Sequence, residues 1–158
     1  MGQAELFGTK KKGRGCAFCD IVKGETEGYV VFEDERSMAF FDKRPLMKGH
    51  VILVPKKHYE TFEDLPKTWV AHLFENAQML SRAVESAMEA DGSFVALNNK
   101  ISQSVPHVHI HVVPRWKKDG LFSRNFVWVR RPYRDEAEMR EIQGKIKKAM
   151  EVLQDAAK

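Results

Sequence analysis

Ser104-Val105-Pro106-His107-Val108-His109-Ile110-His111-Val112-Val113-Pro114-Arg115 places three of the chain's six histidines within five residues, with Val108 and Ile110 between them. Side chains along a β-strand point alternately to opposite faces. The stretch therefore predicts a strand with His107, His109 and His111 on one face and Val108, Ile110 and Val112 on the other. Neighbours in such a row stand about 6.5–7 Å apart at Cα, near enough for one anion or metal ion to touch two rings. Imidazoles on a strand otherwise built for a core cost free energy unless they find partners. A terminal tag or a metal-binding tract, the ordinary sources of a histidine run, would lack the interleaved valine and isoleucine.

Working outward, Tyr29-Val30-Val31-Phe32-Glu33 and Ser37-Met38-Ala39-Phe40-Phe41-Asp42 flank the charged turn Asp34-Glu35-Arg36 and read as a hairpin. Pro45 breaks it, and His50-Val51-Ile52-Leu53-Val54-Pro55 is a third strand closed by its proline. From Pro66 to Glu89, Trp69, Leu73, Phe74, Ala77, Leu80, Val84 and Met88 recur at steps of three and four, the period of one long helix. Asp91-Gly92 stops it. Ser93-Phe94-Val95-Ala96-Leu97-Asn98 is a fourth strand and the histidine row a fifth. Residues 135–157 form a charged helix with Met139, Ile142, Ile146, Met150 and Leu153 on one stripe. Residues 117–134 read as loop, with an extra strand at Phe126-Val127-Trp128-Val129. Strands and helices segregate, so the expected class is α+β: an antiparallel sheet of about five strands, one long helix packed across it, and a C-terminal helix. Residues 1–14 are expected as a flexible basic tail, 15–116 as the domain, and 117–158 as a loop and helix packed on it.

With 158 residues, 43% of them hydrophobic, the chain suits one core and is short for two ordinary domains. No apolar run is long enough to span a bilayer and the first residues lack a secretory pattern, so no membrane partner and a cytoplasmic location are expected. The net charge of +4 gathers at Lys10-Lys11-Lys12-Gly13-Arg14, at Arg130-Arg131 and at Arg134. Without aromatic interleaving or a reading motif these runs read as solvated tails and faces rather than as a nucleic-acid site. The cysteines Cys16 and Cys19 stand two residues apart, the spacing of half a zinc site; a redox pair is the other reading.

The triad pattern, His-φ-His-φ-His-φ-φ with φ apolar, resembles the signature of the histidine triad (HIT) family of nucleotide hydrolases and transferases. Phe40-Phe41-Asp42-Lys43-Arg44-Pro45 and Gly49-His50 through His58 look like that family's ribose-binding and first-histidine segments, and Asn98-Asn99 through Gln103-Ser104 looks like its phosphate loop, shortened and without glycine. Cys16-Ala17-Phe18-Cys19-Asp20-Ile21 resembles the start of the bacterial zinc-binding branch, and Pro114-Arg115 looks like the ending of the bacterial and Fhit-like branches. The resemblance implies a HIT-like fold, a homodimer, and zinc held by Cys16, Cys19, His58 and His107. It implies His109 as nucleophile. It also implies a purine nucleotide with its ribose on Asp42, its base between Phe18, Ile21 and Phe41, and its phosphate near Asn98, Gln103 and Ser104. Read without the resemblance, Asp42 is as well a turn residue, the three apolar residues are core, and His107 only orients its neighbours.

The residues argue the chemistry too. A neutral imidazole keeps one nitrogen unprotonated at physiological pH, so one ring can attack. Attack by His109 on the α-phosphorus of a nucleotide derivative gives a phosphoramidate that water or another acceptor then breaks, which divides one hard displacement into two easier ones. His111 and His50 can donate to the non-bridging oxygens, with Asn98, Gln103 and Ser104 as neutral donors. Two other classes stay open: a zinc-dependent nucleotide-binding module without turnover, and an aprataxin-like enzyme acting on nucleic-acid ends.

Overall fold

The structure is a computed structural model that describes residues 15–122 and 130–158. Along the chain come α1 (Ala17–Val22), β1 (Val30–Glu33), β2 (Ser37–Phe41), β3 (Val51–Pro55), α2 (Lys67–Met88), β4 (Gly92–Ala96), β5 (Ile110–Arg115) and α3 (Glu136–Ala156), with one 3-10 turn at Phe62–Asp64. The strands form a single antiparallel sheet in the order β1-β2-β3-β5-β4. This is the expected α+β architecture.

β2 and β3 are buried at every position, which requires cover on both faces. Ala39 and Phe41 of β2, Val51 and Leu53 of β3, and Ile110 and Val112 of β5 join Leu73, Leu80 and Val84 of α2 and Ile142, Ile146 and Met150 of α3 in the main core. Met38, Phe40, Ile52 and Val54 point the other way and are covered by Phe18 of α1. Truncating a residue such as Leu53, which has no exposed surface, to alanine would cost about 2–5 kcal/mol. Local chemistry fixes the connections. Asp34 Oδ1 accepts the amides of Arg36 (2.8 Å) and Ser37 (2.7 Å) and so closes the β1–β2 turn. Asp135 caps α3 by accepting the Glu138 amide at 2.8 Å.

Three features depart from the sequence reading. The segment carrying the two cysteines forms α1, too short for a periodic signal to emerge. β5 starts at Ile110 rather than at His107. Beyond its pairing with Ile110, β3 continues into Val54 and Pro55, where Pro55 has no amide to offer a ladder and its carbonyl accepts a side chain, His107 Nε2 at 2.8 Å. The Val108 amide donates instead to Tyr59 O at 2.8 Å. The alternation survives the loss of the ladder, since Val108 stays in the main core with Ile110 and Val112. The fourth strand begins one residue early and ends at Ala96. The strand expected at 126–129 lies outside the described residues.

Candidate active site and metal centre

Gly49 positions the first histidine. Its φ of +91° is a conformation that glycine adopts freely, and a Cβ there would stand 2.9 Å from Met88 Cγ. The turn leaves His50 1% exposed at the head of β3, beside β5. There the Leu46 amide donates to His50 Nδ1 at 3.1 Å, and His50 Nε2 lies 2.9 Å from His111 Nδ1. An Nδ1 that accepts carries no proton, so neutral His50 holds its proton on Nε2 and donates it to His111. His111 then carries its own proton on Nε2. Burial, followed by the neighbouring histidine, holds His50 well below its ordinary pKa, and burial with His109 and Arg130 nearby takes His111 down to about 4. Asp42 Oδ2 is 3.8 Å from His50 Nδ1, too far for a hydrogen bond; with His50 neutral this contact is not an ion pair.

His109 is fixed by a different partner. Its Nδ1 lies 2.7 Å from the carbonyl of His107 and can only donate there, which leaves the Nε2 lone pair unprotonated. The rings of His109 and His111 are 5.0 Å apart, and Phe18 packs edge-on against His109 at 5.1 Å. Burial lowers the His109 pKa against the opposing pull of the His107 carbonyl and Asp42, so the ring is neutral at physiological pH. One ring thus presents a lone pair beside another that presents N–H. Asp42 accepts the Arg44 amide at 2.8 Å, and burial raises its pKa against the pull of that amide and of nearby cations.

Cys16, Cys19, His58 and His107 bring their ligand atoms within 4.8 Å of one another. Cys16 Sγ lies 3.3 Å and Cys19 Sγ 3.6 Å from His107 Nδ1, and Cys19 Sγ lies 3.4 Å from His58 Nδ1. Tetrahedral zinc with ordinary bond lengths would hold sulfur and nitrogen ligands about 3.5 Å apart. The donor set fits in chemistry as well: His107 Nε2–H donates to the Pro55 carbonyl, which fixes the ring and turns the Nδ1 lone pair toward the thiols. Burial and the adjacent Cys16 push the Cys19 thiol up to about 11, a cost that a divalent cation would reverse. Four such ligands would leave no open position, as in a structural site.

The remaining expected residues fall in different places. Phe18 packs on Phe40 (5.5 Å) and on the His107 and His109 rings, and Ile21 borders the same cluster. Phe41 is not brought to them: it lies in the core on the opposite face of the sheet, stacked on Tyr133 at 5.4 Å. Phe40 occupies the histidine side instead. Strand parity could have found it, because residues two apart share a face and Phe40, not Phe41, is two from Asp42. Gln103 is committed within its own loop, donating to Glu60 O at 2.6 Å and accepting the Lys100 amide at 2.8 Å. Asn98 and Ser104 are exposed. In that loop Lys100 (φ 68°) and Ser102 (φ 60°) take up the left-handed conformation that glycine favours.

Residues 23–118 match the HIT domain. The chain is 38% identical over 114 residues to an uncharacterized HIT-like protein of Saccharolobus solfataricus, covering 71% of this chain and 82% of that one. Two relatives have named activities. An adenylylsulfatase of Arabidopsis thaliana is 34% identical over 68% of this chain and 56% of its own, and an adenosine 5'-monophosphoramidase of Saccharomyces cerevisiae is 36% identical over 67% and 66%. Among solved structures, a zinc-bound histidine triad family protein of Mycobacterium smegmatis superposes with a TM-score of 0.79 at 32% identity, covering 90% of this chain and 97% of that one. With the histidine row inside a matched domain that spans more than half of its length, the chain belongs to the HIT family.

Proposed function

We propose that this protein cleaves nucleotide derivatives, nucleoside phosphoramidates or dinucleoside polyphosphates, at the α-phosphorus through a nucleotidyl intermediate on His109 Nε2. The coarser assignment, a HIT-type nucleotide hydrolase or transferase, follows from the family and from relatives named as an adenylylsulfatase and an adenosine 5'-monophosphoramidase. The observation that carries the finer one is the 2.7 Å contact between His109 Nδ1 and the His107 carbonyl, which leaves Nε2 as the free nucleophilic nitrogen. In the first step the Nε2 lone pair forms a bond to phosphorus while the bond to the leaving group breaks, and the leaving group departs with that electron pair. The Nδ1–H bond to His107 O supports the positive charge that the ring acquires. Water then attacks phosphorus and releases the nucleoside monophosphate and the free ring. Through both steps the His111 Nε2–H, held by the chain from Leu46 through His50, is available to a non-bridging oxygen as charge develops on it.

Asp42 accepts hydrogen bonds from the ribose hydroxyls in this reading, and the purine lies against Phe18, Ile21 and Phe40. Ser104 and Asn98 border the phosphate. Zinc on Cys16, Cys19, His58 and His107 serves structure, because one ligand, His107, supplies the carbonyl that orients His109. The protein is proposed to act as a homodimer: β4 is an edge strand, and Val95 on it and Phe74 on α2 are 40% and 43% exposed. The test is calorimetric AMP binding measured alongside turnover of an adenosine phosphoramidate. His109→Asn should keep AMP affinity within about 1 kcal/mol and lower kcat by about four decades or more. Turnover near that of the parent would remove His109 from the role.

A further inference from the structure

His50 and His111 are joined by a hydrogen bond of 2.9 Å and, as neutral rings, bring no positive charge to the site. The group whose ligand atom lies beside theirs, Asp42, is an acid. A nucleotide phosphate carries up to two negative charges; Arg44 of the matched domain is felt at Asp42, but it is not among the cations that act on His50 or His111. A cation reaches this region from outside the matched domain, which ends at residue 118.

Residues 130–138 are fastened across the loop that bears Asp42 and His50. Arg130 Nη1 donates to the Arg44 carbonyl, and the Arg131 amide donates to Pro45 O at 3.0 Å. Tyr133 Oη accepts the Gly49 amide at 3.1 Å while its ring stacks on Phe41. Lys48 meets Glu138 at 2.7 Å. These contacts hold the Arg130 guanidinium beside the Asp42 turn, close enough for its charge to be felt at Asp42, His50 and His111. Its hydrogen bond goes to a carbonyl, and among the described residues no carboxylate lies within 4.0 Å to neutralise it. A guanidinium has five N–H donors in a planar fork, so one carbonyl leaves others for an oxyanion.

We propose that Arg130, delivered by the strap that follows the HIT domain, is an anion contact of the site and binds the phosphate of the nucleotide. The inference rests on the nucleotide reading above. On it, the strap does more than close the core: it brings a guanidinium to the Asp42 turn, where it can make charge-assisted hydrogen bonds to an oxyanion.

The experiment compares AMP with adenosine as calorimetric probes on the full chain carrying Arg130→Gln, Arg130→Lys or Lys43→Gln, with thermal unfolding of each. Arg130→Gln should weaken AMP binding about ten- to hundredfold and leave adenosine binding within about twofold. Arg130→Lys should recover part of the loss. Lys43→Gln, which removes an exposed neighbouring charge, should cost AMP affinity less than threefold. Equal losses for AMP and adenosine, a loss of the same size in Lys43→Gln, or unchanged AMP affinity in Arg130→Gln would each overturn the proposal. A parent protein that binds adenosine but not AMP overturns it as well and leaves the base and ribose contacts standing. A parent that binds neither overturns the nucleotide reading itself.

Discussion

His50 Nε2 and His111 Nδ1 are 2.9 Å apart, and the amide of Leu46 on the far side of His50 decides which of the two nitrogens carries the proton. A backbone amide cannot accept, so the chain of donors runs one way, from Leu46 through His50 to His111, and ends in the N–H at His111 Nε2. The same logic, with a carbonyl in place of the amide, gives His109 the opposite polarity. Backbone groups therefore set ring tautomers here, and these polarities hold only while the rings are neutral.

That neutrality makes stability depend on pH. Folding takes the His111 pKa from the ordinary 6.5 to about 4 and lowers His50 in the same direction, chiefly through burial. The unfolded chain then binds more protons than the folded one between these values, so stability is full above about pH 6.5 and falls as the pH drops toward 4. Each such ring contributes a slope of up to about 1.4 kcal/mol per pH unit. Denaturant unfolding from pH 7.5 to 4.5 should show this fall, with a shallower slope in His111→Asn. Equal slopes in the two proteins would mean that His111 is protonated in the fold.

Metal content tests the cysteine and histidine cluster. Purified protein should carry about one zinc per chain. Cys16→Ser should lose most of it and melt about 5–10 °C lower, as expected for a few kcal/mol in a domain of this size. Activity should fall with it, since His107 links the cluster to His109. A parent without zinc, or a Cys16→Ser protein with its full complement, contradicts the assignment.

Asp42 should act on affinity before rate. Asp42→Asn keeps the shape and exchanges one acceptor oxygen for a donor, so AMP binding should weaken by about 1.5–3 kcal/mol. Binding of 2',3'-dideoxy-AMP should scarcely change. An equal loss for both nucleotides would show that the carboxylate holds the Arg44 turn, through its 2.8 Å bond to that amide, and not the sugar.

The exposed edge gives the assembly test. Sedimentation equilibrium of the parent should report a dimer at micromolar concentration, and Val95→Lys, a charge on the open strand, should shift it to monomer. A parent that is monomeric throughout this range means that the α2 and β4 faces are satisfied within one chain.

How much of this was legible in the sequence follows from what leaves a period. Strand alternation and the three-and-four spacing of α2 and α3 depend on burial of one face, so strands and helices could be read to within a few residues. The histidine row was visible for the same reason. The six-residue α1 is shorter than two helical turns and has no period to show. The start of β5 differs from the reading because the ladder stops at Leu53, two residues before a proline in another strand, a tertiary fact. The resemblance implies Phe41 beside the base, while the plain reading makes it core, which is where it lies; parity along β2 points to Phe40 for the histidine side. The polarity of the rings was out of reach, since it is set by the Leu46 amide and the His107 carbonyl. Arg130 stands out only as part of a basic run; a charge in an aperiodic segment looks the same whether it faces solvent or a site.

The central claim is that His109 Nε2 forms the covalent intermediate. Its most direct measurement is mass spectrometry of protein quenched within milliseconds of mixing with an adenosine phosphoramidate or a dinucleoside polyphosphate, followed by peptide mapping under conditions that preserve phosphorus–nitrogen bonds. The prediction is an adenylyl mass on the peptide containing His109, localised to that ring, absent in His109→Asn and lost as product accumulates. Turnover by the parent with no adduct at any quench time, or an adduct on His107 or His111 that persists in His109→Asn, would contradict it.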